Sequence, residues 1–258
     1  MSEVYKQRPL FASTFTYSYT KLKGVDWVVQ ALKTGEGFSG AVTCKNLRAA
    51  FKDEDITLYT SGDTLITKAR SIAAGAFLAS PCDVWVTWDD DVLISPEVLM
   101  QLVAAVRRTR GIVGAPCMVR NGARMNYRGV ALEWKADLVR SLGDGGSVYP
   151  VEAIGLAACA LHRDIVQRIA GMVPWVTKVE ENERPYPALF QESVWDGFWL
   201  GEDFGLCVKA RCFPDIALDM TLRTPIDHAG ECVMVDLDGE VLSDKAAHAR
   251  LEKAKLSA

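Results

Sequence analysis

Nowhere do the 258 residues contain an apolar run long enough to span a bilayer. The opening MSEVYKQRPL also lacks the apolar core of a signal peptide, so a cytoplasmic protein is expected. No CxxC pair occurs. The seven cysteines are odd in number and scattered, several in apolar settings such as Cys117 and Cys159, which favours reduced thiols over a disulfide framework. Cys159 with His162, and Cys207 with Cys212, lack the regular spacing of a zinc site. A strong charge of either sign is missing too: 29 basic against 33 acidic residues leave a net charge of -4. That gives no global basic field for holding nucleic acid non-specifically. A local basic groove through Arg120, Arg124, Arg128, Lys135 and Arg140 stays open. Internal repeats and low-complexity segments are absent. With 49% hydrophobic and 24% charged residues, the chain has the composition of an ordinary globular domain. We expect one domain over residues 9–242 and a polar helical tail over 243–258.

What is present centres on Val84–Val92, VWVTWDDDV. The run is too short for a helix and rich in β-branched and aromatic residues, which predicts a buried strand. Asp89, Asp90 and Asp91 then fall where that strand ends, and ligands of open α/β sheets bind beyond the carboxyl ends of the strands. Three adjacent carboxylates repel one another unless protonated or shared with a cation. Oxygen ligands of this kind suit magnesium or manganese. The alternative is an acidic turn in water.

Around this stretch the pattern alternates. Strands are expected over Pro9–Thr14 and Ile56–Thr60, with a turn at Ser61–Asp63. Helices are expected over Leu22–Lys33, Asn46–Lys52 and Thr64–Ser80. In the last of these, Leu65, Ile66, Ala69, Ala73 and Phe77 face inward, and Lys68 and Arg70 fall on the polar side. Ser95-Pro96-Glu97 supplies a cap, a proline at the first position and an acid in the first turn, predicting a helix to Arg110 that stops at Gly111. A strand follows at Ile112–Ala115, then glycine-rich hairpins over 120–150. The small-residue stretch Val151–Leu161 reads as one strand, leading into a helix over Arg163–Ile169. Pro174–Phe190 is long and irregular, as functional lids and disordered loops are. WDGFWLG at 195–201 leads into Glu202-Asp203 and a helix through Arg211. A strand at Ile216–Leu222, the segment IDHAG and a hairpin around Asp238-Gly239 complete the domain. Alternating strands and helices imply a mostly parallel sheet.

Several of these residues have two readings. Glu202 and Asp203 suit a helix N-terminus on dipole grounds alone. Lys68 and Arg70 could be a solvated helix face, and His228 a satisfied loop histidine. Trp195, Phe198 and Trp199 could be core or an acceptor platform.

Taken in order, the DTLITKARSIAAGAFLAS helix, WDDDV, AIGLAACALHRDIV, LGEDFGLC and IDHAG resemble the GT-A fold glycosyltransferases. The likeness is to small single-domain, family-2-like members of bacterial and bacteriophage type, over roughly residues 9–230. The resemblance implies an α/β fold with a mostly parallel central sheet flanked by helices. It also implies transfer of a sugar from a nucleotide-diphosphate sugar to an acceptor hydroxyl. Asp89 and Asp91 match the DxD acids, which with His228 would hold Mn2+ or Mg2+; Asp89 could instead meet the ribose. Lys68 and Arg70 match residues that reach the nucleotide or its diphosphate. Ser13, Thr14 and Phe15 match the strand end that cradles the base. Asp203, preceded by Glu202, matches the catalytic base of inverting members. The chain departs from the pattern at Asp90, a third charge, and at Ile154-Gly155-Leu156, where a hydroxyl residue often follows the glycine. The acceptor stays open among a glycan, a protein and a hydroxymethylated DNA base. Two rival readings are a haloacid dehalogenase-like phosphatase, with Asp89 as nucleophile and Asp91 as acid/base, and a non-catalytic nucleotide-sugar-binding module.

Overall fold

The computed structural model describes residues 10–17, 39–63, 65–89, 92–117, 127–128, 140–141, 147–177, 184–195, 197–215, 217–221, 227–228, 234–235 and 241–242. The main sheet has eight strands: β1 (Leu10–Tyr17), β2 (Ile56–Asp63), β3 (Val84–Asp89), β4 (Ile112–Gly114), β5 (Arg140–Ser141), β6 (Ser147–Pro150), β7 (Ala158–His162) and β8 (Leu218–Thr221). Their spatial order is β2-β1-β3-β7-β4-β8-β6-β5. β1 runs parallel to β2 and β3, and β4 parallel to β8, while β7 is antiparallel to both β3 and β4. β6 is antiparallel to β8 and β5. The expected mixed α/β architecture is therefore present, and only β6 and β7 run against the other strands.

Among the described residues, five helices cover the two faces: α1 (Ser39–Ala50), α2 (Ile66–Ala79), α3 (Pro96–Thr109), α4 (Arg163–Ala170) and α5 (Glu202–Arg211). The largely apolar β3, interrupted by the buried Thr87, follows from this sandwiching, because a strand covered on both faces has no solvent side. Val84, Val86 and Trp88 pack with Leu47, Leu99, Leu102 and Val106 of α1 and α3. Trp85, on the opposite face, packs with Phe77, Ile165 and Leu206 of α2, α4 and α5. Arg163 ties this second layer together. Its guanidinium donates to the carbonyls of Phe77, Leu78, Ser80 and Cys82, which ties the end of α2 to the segment entering β3.

Elements differ from expectation where tertiary contacts outvote local pattern. α1 begins well before Asn46. The residues read as a turn, Ser61–Asp63, continue β2, because β1 runs alongside them to Tyr17. The single strand expected over Val151–Leu161 is two pieces. Ala153–Ile154 pairs with Tyr127–Arg128, and β7 starts only at Ala158. Between them Ala157 turns its carbonyl to the Asp89 N–H at 3.1 Å. The ladder of Met234–Val235 with Val241–Leu242 agrees with the expected late hairpin. The helix expected at Leu22–Lys33 and the tail from residue 243 lie outside the described residues.

The end of α3 shows why a stop signal can be right for the wrong reason. The left-handed cap falls on Arg110 (φ 57°), not on Gly111. Gly111 is required by proximity instead: a Cβ there would lie 1.8 Å from the Ala217 carbonyl oxygen, whose partner is the Ile112 N–H at 3.0 Å. Backbone cannot yield as a side-chain tip can. Gly111→Ala is expected to cost about 1–3 kcal/mol, the usual size of an overpacking penalty, measured as a lower midpoint in urea denaturation with an unchanged m-value.

Candidate functional site

The segment leaving the three aspartates is held from α1. Thr43 donates its hydroxyl to the Val92 carbonyl at 2.9 Å and accepts from the Ile94 N–H at 3.0 Å; Asn46 donates to the Ile94 carbonyl at 2.8 Å. Ser95 then caps α3 by accepting from the Val98 N–H. Val92–Leu93 forms a short antiparallel ladder with Asp227–His228, in which His228 stands opposite Val92. The backbone thus sets His228 beside the residue that follows Asp91. Asp90, Asp91 and the His228 side chain lie outside the described residues.

On the other side of β3, the acids of two distant segments meet on one arginine. Arg70, on α2, is 4% exposed. It donates from Nη2 to Asp89 Oδ1 at 2.6 Å and from Nη1 to Glu202 Oε1 at 2.5 Å. The polar-face reading of Arg70 is corrected by this burial: the residue belongs to the inward stripe with Ala69, Ala73, Ala74 and Phe77. That signal was present in the sequence, since 66, 70, 73 and 77 follow helical spacing. Lys68, two residues earlier, is half-buried. Burial by itself disfavours the Arg70 guanidinium, but Asp89, Glu202 and Asp203 outweigh it and hold the charge more firmly than usual.

Glu202 and Asp203 open α5, yet neither is its cap. That position belongs to Gly201, and no side chain caps the helix there. Asp203 Oδ1 accepts from the Phe204 N–H at 2.7 Å. A helix N-terminus by itself predicts readily ionised carboxylates, and here the direction is reversed. Burial raises the proton affinity of Asp203 above an ordinary aspartate, against the opposing pull of the Phe204 N–H and Arg70. Burial raises Glu202 as well, with Arg70 countering.

The remaining candidates are placed separately. Ser13 is buried, and its hydroxyl accepts from the Trp85 indole N–H at 2.7 Å, a core bond away from the carboxylates. Phe15 stands opposite Asp89 in the β1–β3 register and Thr14 opposite Trp88; their side chains lie outside the described residues. Neither half of the irregular cysteine pattern forms a metal site. His162 caps α4, its Nδ1 accepting from the Asp164 N–H, and burial lowers its proton affinity. Cys207 lies against the Ile154 backbone, and burial pushes its thiol up to about 12. Among the described residues no cluster of three or more metal-binding side chains occurs. Arg120, Arg124 and Lys135 of the basic stretch lie outside the described residues.

The irregular Pro174–Phe190 segment is anchored at its end. Trp175–Val176 pairs with Tyr186–Pro187, and Leu189 and Phe190 are buried. The Phe190 N–H bonds Ser71 Oγ of α2 at 3.3 Å. After it, Ser193–Trp195 and Phe198–Leu200 form a hairpin whose turn holds Gly197 at φ 76°. Leu200 is buried, but Val194, Phe198 and Trp199 are exposed, so the core-packing reading fails for Phe198 and Trp199.

No protein-family profile matches this chain, and no curated protein matches it. Solved structures that resemble it in outline include three at 12% identity. The STIV protein A197 covers 92% of this chain and 94% of its own, with a TM-score of 0.47. UDP-glucose pyrophosphorylase complexed with UDP-glucose covers 95% and 99% at 0.45. The apo form of a UDP-glucose pyrophosphorylase covers 95% and 82% at 0.42. The site is therefore read from its own residues.

Two outcomes follow from the ion-pair geometry. Arg70→Met leaves Asp89 and Glu202 without their buried partner and should cost about 3–5 kcal/mol, read from denaturant midpoints. Asp203→Asn should behave oppositely. A carboxyl whose proton affinity is higher folded than unfolded keeps more protons in the native state, so its contribution to stability falls as pH rises through that window. The amide cannot ionise. Melting temperatures of the two proteins should coincide below the ordinary carboxylate range, and the variant should melt higher at neutral pH.

Proposed function

We propose that the chain is a metal-dependent glycosyltransferase of GT-A type, moving a sugar from a nucleotide-diphosphate sugar to an acceptor hydroxyl. The observation that carries this reading is the bridge through Arg70, which gathers the strand-end acid Asp89 and the helix-start acids Glu202 and Asp203 at one end of the sheet. The His228 register beside Val92 supports a third ligand from another segment.

The donor set fits a hard divalent cation. Arg70 engages only Oδ1 of Asp89, whose side chain is 19% exposed, leaving the second oxygen for another partner. Asp89, Asp91 and His228 would hold magnesium or manganese, which supplies Lewis-acid relief of the charge on a departing diphosphate. The other roles belong to the chain. Thr14 and Phe15, at the end of β1, would meet the base, and Lys68 the diphosphate. Arg70 holds Asp89 and Glu202 in place. Asp203 accepts the proton of the acceptor hydroxyl, and its raised proton affinity makes it a better base near neutral pH than an ordinary aspartate. A phosphatase nucleophile at Asp89 is supported less, because a carboxylate bound to a guanidinium is a poorer nucleophile.

The test separates binding from turnover. Titration calorimetry with a panel of nucleoside diphosphates should show tighter binding in manganese than in chelator, a difference lost in Asp91→Ala. Asp203→Asn should bind within a few-fold of wild type yet turn over nucleotide sugar roughly 10²-fold more slowly, the usual size of a general-base effect. Equal affinity in chelator and manganese would overturn the metal reading. Hydrolysis of an aryl phosphate that disappears in Asp89→Asn would make the protein a phosphatase.

A further inference from the structure

The hairpin ahead of α5 presents an apolar face that packing does not explain. Residues opposed in an antiparallel pair share a face, and Val194 stands opposite Trp199. These two are 63% and 71% exposed, while Leu200, on the alternate face, is buried. Phe198 shares the face of Leu200 yet is 58% exposed near the turn, so the hairpin inserts its Leu200 end into the body and turns the indole outward. Its base is firm. Gly205 of α5 lies so close beneath that an added Cβ would be 2.8 Å from the Gln191 carbonyl oxygen. The chain then passes from Trp199 through Leu200 and Gly201 directly to Glu202 and Asp203.

Charge selects among the ligands such a face could take. Between Arg184 and Lys209 the chain carries no basic residue, but it carries Glu192, Asp196, Glu202 and Asp203. Arg70, the buried cation next to this run, is engaged by carboxylates. Lys209, at the base of the hairpin, is turned to the Leu189 and Gly205 carbonyls, so a phosphodiester backbone or an anionic headgroup would meet mainly like charge along this run. A neutral sugar ring suits both features: its C–H face packs on the negative face of an indole, and its hydroxyls donate to nearby carboxylates. We infer that the Val194–Trp199 face is the acceptor platform and that the acceptor is a neutral saccharide, an assignment resting on the glycosyltransferase reading above.

Saturation-transfer NMR with a panel of neutral hexose and N-acetylhexosamine oligosaccharides tests this directly, because it detects millimolar binding. Wild-type protein should bind at least one of them. Trp199→Ala should weaken that binding about tenfold, by the scale of an aromatic contact, while Trp199→Tyr stays within about threefold of wild type, since an aromatic face is kept. Calorimetry of a nucleoside diphosphate with manganese, run on the same variants, should be unchanged, which shows that the fold and donor side are intact. Binding of duplex DNA carrying hydroxymethylated bases, with no saccharide bound, would overturn the inference. So would saccharide binding indifferent to Trp199→Ala. Saccharide binding that needs Trp199, in a protein that binds no nucleotide, would uphold the platform as a sugar site and remove the transferase reading beneath it.

Discussion

Everything at the carboxyl end of β3 depends on a buried guanidinium shared by acids from remote parts of the chain. Asp89 ends a strand and Glu202 starts a helix, and nothing local brings them together. Left alone in a half-buried setting, Asp89, Glu202 and Asp203 would repel one another and drive protonation or local opening. Arg70 converts that repulsion into cohesion by supplying rigid, planar donors that are never deprotonated. A lysine is a single point charge and lacks this geometry. The cost is desolvation of the arginine itself, which the surrounding negative charge offsets.

The acids do not emerge from this arrangement alike. Asp89 and Glu202 are each bound to the arginine through one oxygen. Asp203 contributes to the field around Arg70 but bonds the Phe204 N–H instead. It is thus buried enough to hold its proton more tightly than usual, without a direct counter-ion to release it. In the proposed glycosyltransferase reading these environments give the carboxylates different tasks, Asp89 and Glu202 holding position and Asp203 exchanging protons. Burial that weakens the fold at neutral pH is the same burial that would make the proposed base effective there.

Rigidity reaches the site from both faces of the sheet. α1 holds the segment after the aspartates through Thr43 and Asn46, and α2 carries Arg70 and receives Tyr186 through Phe190. The close approach at Gly75, where a Cβ would be 2.7 Å from Tyr186 Cβ, lets that segment lie flat on α2. The aromatic hairpin is the exception, apolar and turned outward immediately before Glu202.

By itself the sequence determined the alternation of strands and helices, the burial of Val84–Trp88, the cap at Ser95 and the start of a helix at Glu202. Each of these is a local matter of apolar periodicity, turn chemistry or helix-end hydrogen bonding. The spacing that puts Arg70 on the inward stripe was equally legible, although a charged residue on a helix reads first as a solvated one. Only the tertiary structure decided the rest. Backbone proximity to Ala217 explains Gly111, and pairing with β1 carries β2 through a stretch that looks like a turn. The antiparallel placement of β7 between β3 and β4 depends on pairing with strands far away in the chain. The proton affinity of Asp203 depends on how much water its neighbours exclude, and the exposure of Trp199 on which hairpin face the described residues leave uncovered. Those quantities belong to contacts between residues far apart in the chain, and no local pattern encodes them.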